Sequence, residues 1–136
     1  MFVDEGRILR TVNACAVDDY TASRDSSTVA DLVRSGLLIP SAEIDLAPIS
    51  DDQPDAKFLL EHPMLPIVSY PYEWPFSVLK EAALAHLDVH IALLKADLTL
   101  SDGSAFNIQF QNGRPIFIDR LSIIRYEDNS FWTGHR

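Results

Sequence analysis

The chain has 136 residues, 47% apolar and 23% charged, which suits one soluble globular domain burying roughly two-thirds of its unfolded surface. Its formal net charge of −9, with lysine only at positions 57, 80 and 95, argues against a surface that binds nucleic-acid backbone. The lone Cys15 excludes an internal disulfide, and no apolar run approaches the ~18 residues of a membrane span.

In chain order, Met1 to Val12 alternates apolar and polar residues about Asp4-Glu5-Gly6 and predicts a small hairpin. Arg7 and Arg10 then form a solvated strand face. Asn13 to Arg24 is ambiguous, with Asp18, Asp19 and Tyr20 fitting a short amphipathic helix. Ser26-Ser27-Thr28 offers an N-cap for a helix through Arg34, with Asp31 in its first turn and Gly36 as its stop. Leu37 to Pro40 packs on the core, and Ser41-Ala42-Glu43 begins a further turn. Ala47 to Asp55 is an exposed loop. Lys57 to Glu61 reads as a strand, His62-Pro63 as a turn, and Leu65 to Tyr70 as a second strand at a sheet edge.

The best helix starts near Pro75 and runs to about Asp97. Phe76, Leu79, Ala83, Leu87, Ile91 and Leu94 recur at spacings of three and four. Val78, Ala82, Ala85, Val89 and Ala92 widen that face, so burial on more than one side is expected. Leu98 to Leu100 leads from the helix into a loop, and Tyr126 to Arg136 reads as an irregular or partly helical end. The expected fold is α+β: a small mixed or antiparallel sheet and one long buried helix in a single domain, 1–136.

Asp102 to Asp119 carries the strongest chemical signal. Asn112-Gly113 between two apolar runs is a tight hairpin turn, since both residues tolerate positive φ. Closing that hairpin brings Asp102, Asn107 and Asp119 towards one point, and three oxygen-bearing side chains suit Mg²⁺ and phosphate chemistry. The plain alternative is turn chemistry. Asp102 then stabilises its own turn, Asn107 caps a strand, and Asp119 pairs with Arg120 or Arg125.

A long helix, a short strand, Asp-x4-Asn, a hairpin and then Ile-Asp resembles the order around a protein-kinase-type centre, and more closely that of aminoglycoside-phosphotransferase-like relatives. The resemblance implies Asp102 as the base for an attacking hydroxyl, with Asn107 and Asp119 holding Mg²⁺ against a nucleotide. Ile67 to Trp74 then takes the place of the segment joining two lobes. No glycine-rich loop and no Val-Ala-Ile-Lys-like segment precedes it, and the helices completing the large lobe are absent, so the arrangement is partial.

Longer phrases carry a second resemblance: GLLIPSAEID, LPIVSYPYEWPFSVLKEAALAHLDVHIALL, LSDGSAFNIQFQNGRPIFID and FWTGHR. They resemble the N-terminal region of bacterial S-adenosylmethionine-dependent methyltransferases related to the host-specific nodulation proteins of rhizobia. This implies an N-terminal module or fragment of a larger protein whose methyl-transfer domain lies elsewhere. The five glycines agree, because no two lie within five residues of each other and no cofactor loop of the GxGxxG kind can form. The expected chain therefore has no S-adenosylmethionine site and is inactive alone. It binds a downstream domain of its own protein, a second copy, or a small molecule, with a Mg²⁺-dependent phosphotransferase site or a pure interaction module as the alternatives. With no charged-then-apolar leader, a cytoplasmic location is expected.

Other candidates are weighed beside their plain readings. His86 and His90 stand one helical turn apart, as zinc ligands can, yet no HExxH glutamate or third ligand accompanies them. Satisfied helix-face histidines are the plain reading. Cys15 reads as a buried structural thiol. Tyr70, Tyr72, Trp74 and Phe76 either line a pocket or anchor the helix entrance in the core, and Glu73 among them needs a partner.

Overall fold

The computed structural model describes residues 1–4, 6–47 and 52–128. The fold is α+β, with antiparallel strand pairs and one long helix. β1 (Phe2–Asp4) and β2 (Arg7–Asn13) form the N-terminal hairpin, turning at Gly6 with φ of 79°. β3 (Ala42–Ile44) and β4 (Ala56–His62) complete a four-stranded sheet in the order β1-β2-β4-β3. A register shift between Val12 and Asn13 interrupts the β2–β4 ladder before its last pair, Asn13 with Ala56. The residues expected to begin a turn at Ser41 to Glu43 instead supply this short edge strand.

A 3-10 turn at Ala14–Ala16 leads into α1 (Val17–Asp25), which resolves the ambiguous segment as helix. α2 (Ser27–Arg34) begins where its cap predicts: Ser26 Oγ accepts from the Val29 amide. It ends in a Schellman arrangement, with Gly36 at φ 79° and the Leu37 amide donating to Leu32 O. Asp31 lies beyond the first turn and pairs with Arg34.

The segment 65–70, expected as a strand, forms no ladder. Pro63, Pro66 and Pro71 remove donors across it, and Gln109 replaces the missing pairing. The buried Gln109 side chain accepts from the Ser69 amide (3.0 Å) and donates to Ser69 O (2.9 Å), holding the segment by the backbone of one residue.

α3 (Phe76–Leu94) follows, capped by Pro75 and three residues shorter at its C-terminus than expected. β5 (Leu98–Leu100) pairs with β8 (Ile123–Arg125), an element the sequence reading left out. β6 (Ile108–Gln111) and β7 (Arg114–Phe117) form the expected hairpin, and both Asn112 (φ 52°) and Gly113 (φ 73°) are left-handed. Leu37 and Ile39 bond to both sides of Phe117, so 37–39 runs parallel beside β7.

The main core lies where α2, α3, β5, β7 and β8 meet, around Val29, Leu38, Val89, Leu93, Phe117 and Ile123. Each fully buried side chain of this kind contributes about 1.5–3 kcal/mol. A smaller cluster of Val12, Tyr20 and Leu60 joins α1 to the sheet.

Candidate functional site

The base of the β6–β7 hairpin holds the three residues singled out for Mg²⁺ and nucleotide. Asp102 Oδ1 accepts from the Ser104 amide (2.9 Å), closing its own turn. Asn107 Nδ2 donates to Asp102 O (3.2 Å), and Asn107 O accepts from the Ile118 amide (2.8 Å), which brings the loop against the end of β7. Asp119, next along, pairs with Arg10 of β2. That partner differs from the expected Arg120 or Arg125, and it corrects the view of Arg10 as a solvated residue: only Arg7, paired with Asp4, is exposed. Arg125 bonds Asp19 instead. Burial depresses the Arg120 guanidinium pKa, with Tyr20 and Glu43 nearby opposing the shift. A cation reaching Asp119 would compete with Arg10 for the same carboxylate. Among the described residues no three His, Cys, Asp or Glu side chains cluster as metal ligands.

His86 and His90 turn inwards. His90 Nε2 lies 3.0 Å from Thr99 Oγ1, and the His86 ring stands edge-on to Phe117 at 5.9 Å. Burial holds both imidazoles below the usual histidine pKa, and at His86 the neighbouring His90 adds to the effect. Both are therefore neutral near pH 7. Cys15, expected inside, is exposed.

The aromatic segment divides. Trp74 anchors the helix entrance, donating to Ser69 Oγ (2.9 Å) and standing edge-on to Phe110 at 5.3 Å. Glu73 accepts from the Tyr70 amide. Tyr70 and Tyr72 stack on each other at 5.4 Å but remain in solvent, and Phe76 is 81% exposed.

Phe76 begins the most unusual surface of the molecule. The residues of α3 expected to form its buried stripe lie mostly outside: Leu87 is 48% exposed, Ile91 50% and Leu94 43%, and Leu84 joins them at 51%. The core takes Ala82, Ala85, Val89 and Leu93 instead, with the two histidines. Apart from Ser77, Lys80, Glu81, His86, Asp88 and His90, α3 is apolar, so two adjacent faces compete for the interior. The face with smaller residues lies against β5 and β7, where close approach of helix to strand needs short side chains. Ile67 and Val68, held outwards by the Ser69–Gln109 clamp, are further exposed apolar side chains. A hollow of about 280 Å³ opens on α3, walled by Leu79, Ala83, His86 and Leu87 and by Gly103 and Ile108 opposite. The sequence signal for this surface was the excess of apolar residues over what one buried face can use.

No family model and no solved structure matches the chain. It is 38% identical over all 136 residues to the nodulation protein NoeA of Rhizobium meliloti (strain 1021). The chain spans 28% of the length of that protein, and so is similar to a segment of a larger nodulation protein.

Proposed function

We propose that the chain is a non-catalytic docking module of a larger nodulation-type protein, and that the outer face of α3 receives another domain of that protein. The observation that carries this reading is the row Leu84, Leu87, Ile91 and Leu94, each about half exposed on a helix whose other face already serves the core. Contiguous exposed apolar surface of this kind marks an interaction site. The length of NoeA beyond the matched segment supplies the candidate partner. Methyl transfer, if the larger protein performs it, belongs to that remaining part, since these glycines build no cofactor loop. The test mixes this chain with the part of NoeA outside the matched segment, as a separate polypeptide, and follows mass by light scattering. A one-to-one complex supports the module; two unchanged species refute it.

A second reading, a partly assembled kinase-like Mg²⁺-dependent phosphotransfer centre, draws on the bonds that bring Asp102, Asn107 and the end of β7 together. It requires Arg10 to release Asp119. A rise in melting temperature with Mg²⁺-ATP that Asp119→Ala abolishes would favour it.

A further inference from the structure

Resting on the docking reading, we propose that the hollow on α3 is a socket for one large apolar side chain, presented by an amphipathic helix of the adjoining domain. The hollow is a product of small residues: Ala82, Ala83, Gly103 and Ala105 line it together with Leu79 and Leu87. A dry apolar cavity of about 150 Å³ already takes a benzene ring, so 280 Å³ accommodates an aromatic or long aliphatic side chain. His86, kept neutral by burial, adds the only imidazole to an otherwise apolar wall. Protein interfaces concentrate their energy in such central sockets filled by one anchor.

The spacing next to the socket identifies the kind of element that fills it. Leu84, Leu87, Ile91 and Leu94 are separated by three, four and three residues, the periodicity with which one helix packs along another. Charge narrows it further. Lys80 lies on α3 and forms no ion pair among the described residues. Lys80 stands seven residues before Leu87, within the same row, and so calls for a carboxylate on the partner helix. A second copy fits less well, because two chains of net charge −9 repel each other.

Two measurements test this. In the chain alone, indole stands in for a tryptophan side chain. Millimolar indole is expected to shift the methyl resonances of Leu79, Leu87 and Ile108, and Ala83→Trp, which fills the hollow from an exposed position, is expected to abolish those shifts without lowering the melting temperature. Absence of any shift overturns the socket. With the remainder of NoeA as partner, Ala83→Trp is expected to weaken binding about tenfold or more, and Lys80→Glu to weaken it with a smaller salt dependence than wild type. Wild-type binding that Ala83→Trp leaves intact overturns the socket while sparing the docking reading. No wild-type binding overturns both. A dimer of this chain that Ala83→Trp dissolves overturns the assigned partner in favour of a second copy.

Discussion

On the inner face of α3, Ala82, Ala85, Val89 and Leu93 are buried almost completely, whereas Leu84, Leu87, Ile91 and Leu94 on its outer face keep roughly half their surface in water. Both sets are apolar and both recur at helical spacing. What separates them is the geometry of the partner. Strands β5 and β7 lie close beneath the helix and take small side chains, with Leu93 reaching past them into the core. Among the described residues no element covers the outer row. Apolar spacing thus picks out both faces without separating the covered one from the exposed one.

The sharpest way to break this comparison is to truncate one leucine on each face. Leu93→Ala removes a fully buried side chain and is expected to cost about 3 kcal/mol in chemical denaturation, within the usual range for core leucines. Leu87→Ala is expected to stay within about 0.5 kcal/mol of wild type. Equal losses would place Leu87 in the core and remove the distinction.

Gln109→Ala comes next. It strips both bonds from the Ser69 backbone and is expected to cost about 1–3 kcal/mol. Hydrogen exchange should accelerate at Ser69, whose amide loses its acceptor, before it changes in α3. Unchanged protection there would show that Trp74 alone holds the segment.

Acidification separates the faces by a different route, since His86 and His90 lie on the inner side of α3 and His62 is buried at the end of β4. Burial holds all three below the ordinary histidine value of 6.5 in the folded chain. The unfolded chain therefore takes up more protons as pH falls. The stability these groups contribute is present above pH 6.5 and is lost as pH drops through their lower folded values. Denaturation midpoints should fall from pH 6.5 downwards, and the decline should shrink in His86→Gln. A midpoint insensitive to pH across that window contradicts the buried neutral assignment.

The smallest expected effect is none at all. With Asp119 held by Arg10 and Asp102 closing its own turn, Mg²⁺-ATP should leave the melting temperature unchanged. A reproducible rise would revive the phosphotransfer reading.

The features legible in the sequence were those set by neighbouring residues. Ser26 announced α2, Gly36 ended it, and Asn112-Gly113 turned the hairpin, because cap and turn chemistry are complete within a few positions. Features that depend on a distant partner were not legible. β3 and β8 are three-residue strands that exist only because β4 and β5 pair with them. The apolar run at 65–70 looked like a strand until its prolines and the Gln109 clamp decided otherwise. Arg10 and Asp119 are 109 positions apart, and nothing local joins them. The candidate trio was readable as a hairpin base, while the carboxylate partners that bear on its chemistry came from folding. The outer apolar row was visible as a stripe, and burial on more than one side was expected of the helix, whereas this row is about half exposed; spacing reports a face without reporting what covers it.

Calorimetric titration of the NoeA remainder into wild type and into a Leu87→Asp/Ile91→Asp variant tests the two-face account most directly. The account predicts measurable affinity for wild type, loss of about tenfold or more in the variant, and a melting temperature little changed, because both positions already stand in water. Equal affinity in the two proteins, or a variant that unfolds, would contradict it.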